Sequence, residues 1–248
     1  MDIVLLSAVG VGGATMFGAI IGFLFRGVTR RVSGAVMSFA AGVSIGAAVL
    51  GLVLPSIEYG GKFGAFITVT GIFFGALTVN LLNLITPYAE RILCVKSERG
   101  GARTDRVLVF VMAMAIHNLP EGIAAGVGFG GGDISAGIFI AIGIAIQNIP
   151  EGMVIIVPMI NAGVSPGRTL VCALATGVVE VIGTFIGFFA VTLAEAILPF
   201  SLAFAGGTML YVVSEDMIPE AHTGGGASLS GYALVLGFCL MLIFSVVM

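Results

Sequence analysis

Tryptophan is absent from this 248-residue chain and charge is scarce, with ten lysines and arginines and thirteen aspartates and glutamates making up only 9% of it. A formal net charge of −3 is too small a surplus to hold nucleic acid or to seek acidic lipid, and no basic amphipathic helix is present. Cys94, Cys172 and Cys239 lie far apart, form no CxxC pair and leave an odd one over. Neither a disulfide framework nor a thiolate metal site is therefore indicated, and all three read as inert packing or loop residues. HExxH is missing, which argues against an intramembrane metalloprotease, and an enzyme is not expected.

What the chain does have is apolar surface. Hydrophobic residues make up 58% of it, the mean hydropathy is +1.18, and 38 glycines are scattered through the apolar stretches rather than gathered in linkers. That composition describes an all-α polytopic membrane protein whose helices meet closely at small residues. Segments able to span a core of about 30 Å, at about 20 residues each, fall near 3–25, 34–54, 63–86, 107–128, 134–158, 169–193, 198–218 and 229–248. The expectation is eight transmembrane helices in a single transmembrane domain, 1–248.

Charge sets the orientation. Asp2 precedes the first segment and Arg26, Arg30 and Arg31 follow it, the reverse of a signal peptide, so the segment is retained with its C-terminal end inside. Counting on from there, Arg91, Lys96, Arg99, Arg103, Arg106 and Arg168 also fall in cytoplasmic connections, and of the basic residues only Lys62 falls outside. Both termini are expected on the outer side of the cell (inner) membrane. The longest connection, Tyr88 to Arg106, reads as a solvated linker without histidine runs.

Two echoes run through the sequence. FAAGVSIGAAVLGLVLP (Phe39 to Pro55) is answered by FAGGTMLYVVSEDMIP (Phe204 to Pro219), and HNLPEG (His117 to Gly122) by QNIPEG (Gln147 to Gly152). Pairing segment two with seven and four with five relates elements of opposite orientation, the mark of an inverted repeat arranged 3+2+3, which usually builds a site at the midplane. Gly18 with Gly22, and Gly183 with Gly187, are small-xxx-small pairs suited to tight helix contact.

The hexapeptides carry the chemistry. His117 and Glu121 are i, i+4 neighbours with Asn118 beside them, and Gln147, Asn148 and Glu151 repeat the arrangement. Glu180 adds a third carboxylate from segment six. Each acidic group at this depth costs roughly 3 kcal/mol or more. Lysine or arginine is the usual rescue, yet none occurs between Arg106 and Arg168 or after it. Protonation and bound cations remain as the ways to keep these carboxylates, and Pro120 and Pro150 free further carbonyls that a cation can satisfy. One imidazole, amides and shared carboxylates form a borderline N/O set that suits Zn²⁺, and also Fe²⁺, Mn²⁺ or Cd²⁺, without choosing among them. The alternative is a non-transporting or channel-like structural membrane protein with protonated intramembrane glutamates.

The double motif together with Glu180 resembles the metal-binding helices of the ZIP family of divalent metal transporters, a resemblance that covers essentially the whole chain. It implies import of a divalent ion as cargo, a homodimer in the bilayer, and segments one, four, five and six carrying the metal against a scaffold of two, three, seven and eight. It also implies a binuclear site, with His117, Glu121, Gln147 and Glu151 around one metal and Asn118, Glu121, Asn148, Glu151 and Glu180 around the other. Some relatives have aspartate at the position of Asn148, and many have His-Glu where this chain has Glu215-Asp216. Glu215, Asp216, Glu220 and His222 read either as a cytoplasmic release site or as an ordinary solvated helix end.

Overall fold

The computed structural model describes residues 1–24, 30–93, 115, 118–161, 164–222 and 227–247, and among them there is no strand. In chain order the helices are α1 (Asp2–Leu24), α2 (Arg30–Ala48), α3 (Leu54–Tyr59), α4 (Gly64–Leu93), α5 (118–130), α6 (Ile134–Asn161), α7 (Pro166–Leu193), α8 (Leu198–Val212), α9 (Ile218–His222) and α10 (Ala227–Val247). Among the described residues six stretches are long and apolar enough to cross a membrane: Asp2–Leu24, Arg30–Tyr59, Gly61–Leu84, Ile134–Met153, Pro166–Leu193 and Ser228–Val247. Of the fourth expected segment, 107–128, residues 107–114, 116 and 117 lie outside the described residues, as do Cys94 and most of the 88–106 connection. The seventh is divided between α8 and α9.

The helix of the second segment, expected near 34–54, runs on past Pro55. A π-helical turn, Val49–Val53, joins α2 to α3, and the N–H of Leu54 bonds the carbonyl of Val49, five residues back. The wider turn takes up the place where a proline ring would otherwise strike the preceding turn, so the helix continues to Tyr59. The seventh segment repeats this. Val213–Met217 is a π turn, the N–H of Ile218 bonds the carbonyl of Val213, and Pro219 follows. The echo between Phe39–Pro55 and Phe204–Pro219 is thus an echo of backbone geometry.

Glycines sort the helices into two groups. In the first, Gly12 and Gly177 face each other's carbonyls across α1 and α7, Gly18 lies on the Ile149 carbonyl of α6, and Gly183 and Gly187 lie on the Leu119 and Ile123 carbonyls of α5. In the second, Gly42 lies on the Leu234 carbonyl of α10, Gly75 on the Phe204 carbonyl of α8, and Gly34 on the Ala221 carbonyl of α9. Among the described residues, every glycine that meets another helix's backbone this closely does so within α1, α5, α6 and α7 or within α2–α4 and α8–α10. Between the groups the contacts run through side chains, Gly51 against Ile140 and Phe139, and Gly143 against Ala47 and Met241. Main-chain locking leaves no room for an added methyl, whereas a side-chain seam can slide.

Burial follows the same division. One apolar cluster spans both groups, joining Val43, Ala47 and Leu52 to Ala124, Phe129, Phe139, Ile140 and Ile144, on the side of the 131–133 connection. Toward the other end the clusters separate, Met37, Ala41, Val213 and Met217 lying wholly in the second group and Ala19, Ile156 and Ala173 wholly in the first. Large apolar side chains such as Phe66, Phe73, Leu77, Phe17 and Val235 stand exposed on the outer helix faces. A bilayer is the solvent that suits such a surface.

Candidate metal centre

The described candidate ligands converge inside the first group. Asn118, Gln147, Asn148 and Glu180 are 0% exposed, Glu121 is 2% and Glu151 3% exposed. Asn118 and Glu121 stand one turn apart on α5, Gln147, Asn148 and Glu151 do so on α6, and Glu180 faces them from α7. The glycine that closes each hexapeptide explains the approach. A Cβ on Gly122 would strike the backbone of Glu180, and one on Gly152 would strike the carbonyl of Thr15 on α1. Each motif therefore ends in a residue that lets its helix lie directly on a partner at the level of the polar groups.

Within the centre the amides stand between the carboxylates. Gln147 Nε2 donates to Glu121 Oε1 at 2.5 Å, Asn148 Nδ2 donates to Glu180 Oε2 at 2.7 Å, and Asn118 Nδ2 donates to Glu180 Oε1. The Glu121, Glu151 and Glu180 carboxylates are close enough to act on one another electrostatically, and no described lysine or arginine pairs with Glu121 or Glu180. No group of three His, Cys, Asp or Glu side chains among the described residues is placed to hold a metal ion by itself. Amide oxygens, and His117, which lies outside the described residues, would have to complete a coordination shell.

The pattern of satisfaction points to a cation. Each amide gives its N–H₂ to a carboxylate or carbonyl, and its oxygen finds no donor among the described residues. Asn118 Oδ1, Gln147 Oε1, Asn148 Oδ1 and Glu121 Oε2 are buried without a hydrogen-bond partner among the described residues. All four are acceptors. Each buried polar atom left unpaired costs about 1–3 kcal/mol, and a hard or borderline cation is a ligand that such acceptor oxygens can take.

Sequence reasoning missed two contributors on α1. Thr15 Oγ1 donates to Glu180 Oε1 at 3.0 Å, and the Val11 carbonyl accepts from Asn148 Nδ2 at 3.1 Å. Val11, Thr15, Gly18 and Gly22 follow one helical stripe, so the signal that could have found Thr15 is a lone hydroxyl on the small-residue face of an apolar helix. Glu215, Asp216 and His222 lie apart from this centre, on exposed positions of the second π turn and α9, and His222 Nδ1 contacts the Ile218 carbonyl of its own helix. Cys172 is half-buried and Cys239 exposed, both free.

Comparison with known proteins gives the family. Residues 94–245 match the family described as ZIP zinc transporter. Zinc transporter GufA of Myxococcus xanthus is 36% identical over 238 residues, covering 94% of this chain and 93% of that protein. Zinc transporter ZIP11 of Homo sapiens is 32% identical over 316 residues, covering 93% and 92%. Zinc transporter ZIPB of Bordetella bronchiseptica is 32% identical over 247 residues, covering 92% and 76%.

Proposed function

The chain belongs to the ZIP zinc transporter family and is therefore a multi-pass membrane protein of metal-ion transport, and we propose that it carries Zn²⁺ toward the cytoplasm through the centre between α5, α6 and α7. The observation that carries this reading is the set of buried acceptor oxygens on Asn118, Glu121, Gln147 and Asn148 without hydrogen-bond partners among the described residues. A protein that used these groups only to shape its bundle would pair them.

In this reading two positions share the bridging carboxylates Glu121 and Glu151. His117 and Gln147 complete the first, and Asn118, Asn148 and Glu180 the second. Borderline N/O donors without thiolate suit Zn²⁺, and the same set would accept Fe²⁺, Mn²⁺ or Cd²⁺. The direction is supported by the apolar cluster that bridges the two helix groups on the side of the 131–133 connection, which the arginine distribution puts outside. Toward the cytoplasm the described clusters belong to one group or the other, which leaves the seam easier to part there. Eight spans in one transmembrane domain, both termini outside, a 3+2+3 inverted repeat supported by the twin π turns, a cell inner membrane and a homodimer complete the proposal.

Purified protein reconstituted into liposomes tests it. Zinc should accumulate in the lumen only when the protein is present, and excess Fe²⁺, Mn²⁺ or Cd²⁺ should reduce that uptake to the degree each ion fits the centre. Vesicles that stay empty of zinc despite correct insertion would favour the rival, a structural membrane protein.

A further inference from the structure

We propose that Thr15 is a specificity-determining residue, whose hydroxyl keeps Glu180 a one-oxygen ligand and so favours small ions over large ones; this rests on Glu180 being a ligand of the transported ion. A carboxylate has about four lone-pair sites, two on each oxygen. On Glu180, Oε1 accepts from both Thr15 Oγ1, at 3.0 Å, and Asn118 Nδ2, so both of its sites are taken. Among the described residues Oε2 accepts only from Asn148 Nδ2, at 2.7 Å, which leaves one of its sites for an ion. An ion that approaches Glu180 therefore meets a single available oxygen.

The hydroxyl cannot retreat. Thr15 is 1% exposed, and its own carbonyl lies against Gly152 while Gly12, less than one turn before it, lies against the Gly177 carbonyl. Main-chain locks on α6 and α7 thus hold α1 on both sides of the residue. Zn²⁺ takes about four ligands at short distance, each carboxylate commonly giving one oxygen. Cd²⁺ has nearly the radius of Ca²⁺, for which two-oxygen carboxylate binding and higher coordination numbers are ordinary. Blocking one oxygen of Glu180 penalises the larger ion more than the smaller.

The test is an equilibrium competition between Zn²⁺ and Cd²⁺ on the purified, monodisperse full-length protein. Thr15→Val keeps the side chain's shape and removes the donor, and should shift the affinity ratio toward Cd²⁺ by roughly tenfold, the scale of one hydrogen bond to a charged group. Thr15→Ser, which restores the hydroxyl, should restore the wild-type preference. With Glu180→Gln in place, Thr15→Val should add no further shift. An unchanged ratio in Thr15→Val, or an equal shift in Thr15→Ser, overturns the proposal. Should Thr15→Val fail to fold, Thr15→Ala carries the same expectation. If Glu180→Gln alone leaves the affinity for both ions unaltered, the failure belongs to the assignment of Glu180 as a ligand rather than to Thr15.

Discussion

Replacing Asn148 by aspartate tests how the charges of the centre are balanced. Three glutamates supply −3 against +4 for two divalent ions, so the second ion should bind weakly in the wild type. Asn148 donates to the Val11 carbonyl at 3.1 Å and to Glu180 Oε2 at 2.7 Å, not to a carbonyl freed by the proline of its own helix. Asn148→Asp turns both contacts into acceptor facing acceptor. Losing the bond to the Val11 carbonyl, which keeps its helical partner, costs about 0.5–1.5 kcal/mol, and two carboxylate charges 2.7 Å apart repel by about 6 kcal/mol at an effective dielectric constant near 20. A proton shared by the pair or a metal ion held between them relieves that repulsion, and a second Zn²⁺ would do so while bringing the total to −4 against +4. The variant should therefore melt well below wild type without metal, recover most of the difference with saturating Zn²⁺, and hold about two equivalents by elemental analysis where wild type at limiting metal holds about one. Two tightly held equivalents in the wild type, or a variant that zinc neither stabilises nor fills further, would refute the charge argument.

Other substitutions probe the supporting geometry. Gly122→Ala drives a methyl into the Glu180 backbone, whose Cα would lie 2.8 Å from the new Cβ, and overpacking of this kind costs about 1–3 kcal/mol. Zinc uptake should fall at equal membrane insertion, while Gly10→Ala, whose Cβ meets nothing within 4 Å, should transport normally. Ser56 Oγ lies 2.7 Å from both Thr68 Oγ1 and the Pro199 carbonyl, tying α3 to α4 and α8 far from the metal centre. Ser56→Ala should lower thermal stability by about 1–3 kcal/mol in a denaturation assay and leave the affinity for zinc as it was.

How much of this was legible in the sequence depends on the range over which each contact acts. The hexapeptides were legible because helical spacing alone puts Asn118 near Glu121 and Gln147 and Asn148 near Glu151, and because no nearby lysine or arginine offered them another purpose. The glycine pairs were legible for the same local reason, and Gly18, Gly22, Gly183 and Gly187 all sit where another helix comes closest. Thr15 and the Val11 carbonyl were not, since their partners Glu180 and Asn148 lie more than a hundred residues away and no local period announces them. The continuation of the second helix past 54 was hidden for a different reason. A proline reads as a stop, but a π turn just before it lets the helix run on, and only the repetition at Pro219 hints that the two breaks are one device.

The most direct measurement of the central claim is zinc uptake into proteoliposomes by wild type, Glu121→Ala and Glu151→Ala at matched, verified insertion. If the buried oxygens around these shared carboxylates are the path of the ion, wild-type vesicles should load zinc and both variants should fall to the rate of protein-free vesicles. Wild-type uptake by either variant would mean that zinc crosses this protein without the centre described here.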